Sequence, residues 1–338
     1  MTRYLIATDC YNYEPRPGLG WMVQANSIAW RYAKVTGRTL IVDWRDTTYH
    51  SNRNVNLFAQ LFEPAESIGG VRILTNSLDR LELPGPRLVT DKENFEYVDR
   101  ALYYDRDLPF PVVEIRAGIS PRLYRRFLYE DGFDGFIRGL VMKPHFEHQI
   151  ADFLEQNFSG RRVVGVHVRH GNGESGHFQN AGRSISDLDH LIQDIKTKLY
   201  RYLKDNYTLF LATDSPAVLD GFQRNSLKYV ARKQWRPPAD SGASLVKGSE
   251  CPDGEVVNAA NAWIDMYLLG CCDVTYFAKG SFMNSLPVQM AKGHENRQIT
   301  YGFDVGRYYC IGSRTKASPV LQIRRYLNRK LNKILPAI

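Results

Sequence analysis

Short apolar runs alternate along this chain with longer stretches whose apolar residues recur every three to four positions, a pattern that predicts strands separated by helices. Tyr4–Ala7 reads as a first strand. A loop rich in Pro, Gly and Asn follows, ending Pro15-Arg16-Pro17-Gly18-Leu19-Gly20-Trp21. Met22–Thr36 then reads as a helix, with Met22, Ala25, Ile28, Ala29, Tyr32 and Ala33 roughly on one face and Gly37 as its stop. Leu40–Trp44 is a second strand, so the chain opens as a β-loop-α-β unit. Residues 49–111 are loop-rich, with short strands expected at Val71–Leu74 and Leu88–Thr90. Val112–Arg116 is a further strand, the text turns helical from Pro121, and Pro144–Phe158 is a helix expected to carry the chain between two domains. His145 and His148 share a face of that helix, but no further ligands stand near them, so they read as surface residues.

The second half repeats the alternation. Val163–Val168 is a Val-rich strand, Ser186–Lys204 a helix with a Leu/Ile stripe, Thr208–Ser215 a strand, and a helix opens near Pro216. Tyr229-Val230 is a short strand and Arg232–Asp253 a long polar loop. Asn258–Leu269 is a helix, Val274–Phe277 a strand, Gly280–Ser285 a Gly-Ser loop opening a helix, and Thr300–Phe303 a last strand. The whole predicts an α/β protein of two doubly wound domains, residues 1–145 and 146–310, with a basic amphipathic helix in 311–338.

The chemistry gathers at strand ends, where open α/β sheets deliver functional side chains. Val163–Val168 runs into Arg169-His170-Gly171-Asn172-Gly173-Glu174, with His167 on the strand itself. Arg169 can fork onto a phosphate, His170 and Asn172 can donate, and glycine lets backbone N–H groups approach. Thr213-Asp214-Ser215 ends another strand in polar groups. Gly18 and Gly20 precede one helix, and Ser281 and Phe282 lie in the loop before another; both are places where helix N–H groups can meet an anion. Asp265 is the one acid in an otherwise apolar, buried helical segment, and a buried carboxylate needs a partner.

Composition adds limits. The 338 residues exceed one comfortable core, and the net charge of +8 suits a phosphate-bearing substrate, a nucleic acid or an anionic membrane surface. No Lys/Arg block or basic stripe supports nucleic-acid binding. The 5 cysteines show neither a CxxC nor a Cys/His metal spacing, which reads as reduced thiols in a cytoplasmic protein. No apolar run is long enough for a signal peptide or a membrane span.

The loop His167–Glu174, Thr213-Asp214-Ser215, Ala262–Leu269, Thr36–Arg45 and Phe62–Val71 resemble those of the rhizobial nodulation fucosyltransferase (NodZ-like) family, a glycosyltransferase family 23-like group. The resemblance implies the GT-B fold, two Rossmann-like domains facing across a cleft. It implies GDP-fucose as donor, inversion at the anomeric carbon and no metal or other cofactor. It implies an oligosaccharide acceptor, with α-1,6 transfer to a GlcNAc of a chitin oligosaccharide. In that family's terms His167 lies near the guanosine, Arg169 on the β-phosphate, and Asp265 accepts from guanine N–H groups. Ser281 and Phe282 match the pyrophosphate loop, and Gly18 and Gly20 the amino-terminal loop over the phosphates, here preceded by a Cys10–Pro17 insertion. Asp214, His170 and Asn172 join the donor set. Glu174 is the candidate base, with Asp43 and Asp46 behind it. Another nucleotide sugar, a surface polysaccharide acceptor, or a non-catalytic glycan-binding relative are the competing readings.

In the tail, Leu327, Leu331, Ile334 and Leu335 fall on one side among Arg324, Arg325, Arg329, Lys330 and Lys333. Such a helix either packs across the domains or lies on anionic lipid. On the lipid reading, deleting the residues after Leu327 abolishes co-sedimentation with anionic liposomes; unchanged co-sedimentation contradicts it.

Overall fold

The computed structural model describes residues 2–8, 18–45, 47, 49, 52, 54–75, 82–90, 93–115, 121–127, 130, 132–170, 185, 187–238, 250–278, 297–304 and 307–313. Glu174, Asn172, Ser281, Phe282, Asp46 and the basic tail lie outside them.

The first half builds β1 (Tyr4–Thr8), α1 (Leu19–Thr36), β2 (Thr39–Asp43), α2 (Leu57–Leu61), β3 (Ser67–Ile68), β4 (Val71–Leu74), β5 (Arg87–Val89), α3 (Phe95–Tyr103), β6 (Val112–Ile115), α4 (Pro121–Phe127) and α5 (Gly135–Arg138). Its strands form a six-stranded sheet in the order β3-β4-β2-β1-β6-β5, parallel except for β3. Both faces are covered, as a parallel sheet requires. Leu5, Ala7, Leu40, Val42 and Val113 enter the main core, whereas Ile6, Ile41 and Val112 alternate onto the opposite face.

The second half comprises α6 (Pro144–Asn157), β7 (Val163–Val168), α7 (Leu188–Lys204), β8 (Thr208–Thr213), α8 (Pro216–Arg224), α9 (Glu255–Gly270), β9 (Val274–Ala278), β10 (Arg297–Asp304) and β11 (Arg307–Ser313). The sheet order is β11-β10-β9-β7-β8, parallel from β8 to β10, with β10 and β11 antiparallel. Val164, Val166 and Val168 pack under α7 and α8. The alternate residues Val163, Gly165 and His167 point the other way, toward α9, because successive strand residues face opposite sides.

Helix α9 is apolar nearly all round, the signature of a helix buried on every side. It contacts α1, α2 and α6 as well as β7 and β8. Trp263 meets Phe62 edge-on with ring centroids 4.8 Å apart, so one continuous core runs from the first sheet's helices to the inner face of the second sheet. Each large apolar side chain fully buried there contributes roughly 1.5–3 kcal/mol.

Three local expectations are corrected. Helix α1 starts at Leu19 rather than Met22, so Gly20 is a buried residue of its first turn and not part of the loop. Helix α9 starts at Glu255 rather than Asn258, after Gly254 at φ +93°, a left-handed conformation open to glycine without strain. Residues 311–313, expected to open the C-terminal helical segment, end β11 instead, because 307–313 pairs with β10.

Gly165 leaves no room for a side chain between β7 and the residues at the end of α9 and just past it. A Cβ there would lie 2.7 Å from Cys272 Sγ and 2.9 Å from Leu269 Cδ2. Gly165→Ala is therefore expected to cost roughly 1–3 kcal/mol by overpacking. Urea unfolding measures this, and an unchanged midpoint with unchanged slope contradicts the packing described.

Candidate functional site

In each sheet the strand order reverses about one central strand. β1 has β2 on one side and β6 on the other; β7 has β8 and β9. The carboxyl end of such a strand opens a crevice where ligands of doubly wound folds bind. Beyond β1 the chain enters α1, whose Gly18 cap is extended and gives no side-chain cap bond. The first-turn N–H groups are thus left to other acceptors. Leu19 N–H donates to the Tyr49 hydroxyl at 3.3 Å.

Beyond β7 come Arg169 and His170, both half-buried. Asp214, at the end of neighbouring β8, accepts from the His170 backbone N–H at 2.8 Å. The His170 ring Nδ1 lies 3.3 Å from Ser215 Oγ. Main chain and ring of His170 are both tethered to β8, which fixes the direction in which the chain leaves β7.

His167 is paired in register with Ala212 and Phe277 and is 6% exposed. Burial above all, helped by the Arg169 charge, brings its pKa down to about 4 against the raising effects of Asp214 and Asp265. The imidazole is therefore neutral at pH 7.

Asp265 projects from α9 and is 5% exposed. The partner its burial requires comes from the chain itself. Arg232 Nη1 lies 3.4 Å from Oδ1, and Gln234 Nε2 donates to Oδ2 at 2.9 Å. Arg232, 8% exposed, also donates to the Asn261 carbonyl at 3.2 Å and to Asn261 Oδ1 at 2.7 Å. Arg236 donates through Nε to the Thr213 carbonyl at 3.0 Å and through Nη2 to the Arg232 carbonyl at 3.2 Å. Burial lowers the pKa of Arg236, with the nearby Arg232 charge adding to the effect. The segment 231–238 is thus stitched to α9 and to the end of β8, and a groove of about 800 Å³ reaches Arg232, Gln234 and Arg236.

These residues enlarge the set read from the sequence. Arg232, Gln234 and Arg236 were assigned to a long polar loop. Their signal was the placement of three cations, Arg232, Lys233 and Arg236, just after Tyr229-Val230-Ala231. Val230 bridges Phe210 in parallel, so these cations also follow the end of a strand-like segment. The structure brings together His167, Arg169, His170, Asp214 and Asp265, and it sets Gly18 and Gly20 at the start of α1 in the other half. Asp43, at the end of β2, is held by Arg45 through Nε at 2.8 Å and Nη2 at 2.9 Å. Among the described residues no group of His, Cys, Asp and Glu could hold a metal ion, and no helix is long and apolar enough to cross a membrane.

Two doubly wound α/β units with polar strand ends at their switch points define a GT-B protein, two Rossmann-like halves facing across a cleft. The chain belongs to the Nodulation protein Z (NodZ) family, which it matches over residues 13–105 and 129–306. It is similar to Nodulation protein Z of Azorhizobium caulinodans, 29% identical over 278 residues, covering 77% of this chain and 82% of that one. It is also similar to Nodulation protein Z of Bradyrhizobium diazoefficiens, 28% identical over 281 residues, covering 76% of this chain and 72% of that one. Among solved structures it resembles the NodZ α-1,6-fucosyltransferase soaked with GDP-fucose, with a TM-score of 0.65, 23% identity, and coverage of 92% of this chain and 99% of that one.

The neutral His167 has a measurable consequence. A histidine with a pKa near 6.5 unfolded and about 4 folded stabilises the protein fully above pH 6.5 and loses that contribution as the pH falls toward 4. Between pH 7 and pH 5 the loss from this group is about 2 kcal/mol. Urea unfolding at both pH values measures it. His167→Gln is expected to remove this part of the difference; an equal pH dependence in the variant contradicts the assignment.

Proposed function

We propose that this chain is an inverting fucosyltransferase that moves L-fucose from GDP-fucose to an oligosaccharide, at the 6-hydroxyl of a GlcNAc in a chitin oligosaccharide or a related saccharide. The observation that carries this reading is the polar cluster at the carboxyl end of β7, Arg169 beside buried His167 and Asp265, in a family with a member solved as an α-1,6-fucosyltransferase soaked with GDP-fucose. We assign residues 1–145 to the acceptor side, 146–313 to the donor side and the residues after 313 to a C-terminal extension.

Transfer breaks the bond between fucose C1 and the β-phosphate oxygen and forms one from C1 to the acceptor oxygen. The acceptor proton passes to a base, and the bonding pair leaves with GDP. Negative charge grows on the diphosphate as oxocarbenium character grows on fucose. Arg169 supplies a fixed cation for that charge, in place of a divalent metal. His170 and Asn172 join it on the diphosphate or fucose, with Ser281 and Phe282 from the sequence that follows β9. Gly18 and Gly20 bring the start of α1 over the phosphates. Neutral His167 lies beside the nucleoside, where an imidazole without charge donates or accepts without competing with Arg169 for the phosphate. Asp214 supports this arrangement through the His170 main chain. Glu174, beyond the glycines, is the base toward the acceptor.

The basic tail adds peripheral contact with the anionic inner face of a membrane to a cytoplasmic enzyme.

Arg169→Lys and Glu174→Gln are each expected to lower turnover of GDP-fucose by a factor of about 100 or more. Arg169→Lys keeps the charge but loses the fork. Steady-state kinetics with a chitin oligosaccharide measures both, and near-wild-type turnover in either variant removes the role given to that residue.

A further inference from the structure

We propose that Arg232 and Asp265 form one guanine-reading edge, and that the Gln234 carboxamide is a built-in competitor for it. The inference rests on the donor reading above. It goes further by naming the group that reads O6 and the side chain that the base displaces.

The geometry around Gln234 carries the idea. Its Nε2 donates to Asp265 Oδ2 at 2.9 Å, while its Oε1 accepts from Arg232 Nη1 at 3.1 Å. A carboxamide thus bridges a buried carboxylate and a buried guanidinium, its N–H toward one and its carbonyl toward the other. Guanine carries the same pair on one edge, N1–H beside O6, and extends it with the N2 amino group. An acceptor carboxylate next to a donor guanidinium is the complement of that edge. Adenine reverses it. Its N1 lone pair would face the carboxylate and its amino group the guanidinium, leaving two buried charged groups mismatched. Uracil offers a carbonyl beside N3–H but has no third donor for the second lobe of the carboxylate.

The three side chains are anchored to different degrees, as competition requires. Arg232 is pinned independently of Gln234 by both the Asn261 carbonyl and the Asn261 side chain. Asp265 is fixed within buried α9. Gln234 is only partly buried, lies in a segment without helix or strand, and borders the groove. Its carboxamide can turn toward that groove while the other two hold position. The Asp265 carboxylate therefore stays solvated by protein donors until a base with the right edge replaces them, which favours guanine twice: by the contacts it makes and by the cost imposed on any base unable to displace Gln234.

Isothermal titration of the whole protein with GDP, UDP and 6-thioguanosine diphosphate, whose sulfur is a weak acceptor, tests the proposal. Gln234→Ala is expected to tighten GDP roughly tenfold, the scale of a hydrogen bond to a charged group, and to leave UDP nearly unchanged. The sulfur substitution is expected to weaken binding about fivefold to the wild type but not to Arg232→Met. The Gln234 measurement stands by itself if Arg232→Met does not fold. GDP affinity unchanged or weakened in Gln234→Ala overturns the inference, as does an equal sulfur penalty with and without Arg232. A wild-type protein that binds no GDP overturns the donor reading as well, whereas GDP binding insensitive to Gln234 overturns this inference alone.

Discussion

Everything in the second half is arranged around the burial of α9. A helix whose every face meets protein must satisfy each polar group it carries from within the fold. Three such groups, Asn258, Asn261 and Asp265, lie buried on it. Asn261 and Asp265 meet Arg232 and Gln234, which draws the segment 231–238 down onto the helix. Gly165 lets the same helix approach β7, and Trp263 against Phe62 ties it to the first half. The site is therefore a consequence of packing: His167 points toward α9 because it shares a strand face with Gly165, and Asp265 lies close enough to influence its charge.

The electrostatics follow from that burial. A cationic imidazole between an apolar sheet and helix is disfavoured, so His167 stays neutral, while Arg169, two residues further along and half-buried, offers its guanidinium to an anion. Around the Asp265 carboxylate, Arg232 and Gln234 stand where water would otherwise be. Removing a single partner would leave a buried charge uncompensated, a far larger effect than the net worth of the pair. One strand end thus offers a neutral ring, a cation and a compensated anion within a short distance, a set of groups that can treat base and diphosphate differently.

Much of this was legible in the sequence. The doubly wound fold followed from strand-helix alternation, and the importance of the β7 end from the change of Val163–Val168 into Arg169 and His170. The need for a partner at Asp265 followed from its apolar neighbours. The partner itself did not, since Arg232 reaches Asp265 from 33 positions away, through a segment with no periodicity to read. Helix starts were misplaced where glycine hid them. Gly18 and Gly254 cap α1 and α9 without a hydroxyl or amide side chain, so the usual capping signal is missing. The β10–β11 hairpin was missed because its second strand runs into the basic tail, whose charge pattern suggested a helix.

Activation of a fucosyl donor at the β7 end, for direct displacement without a metal, is the central proposal. Following GDP-fucose labelled at its anomeric carbon by NMR, with a chitin oligosaccharide acceptor and excess chelator, tests that claim most directly. The predicted result is conversion of the β-linked donor into an α-linked product at a GlcNAc 6-hydroxyl, at a rate unaffected by the chelator. Retention of the β configuration, or transfer that stops on chelation, would contradict it.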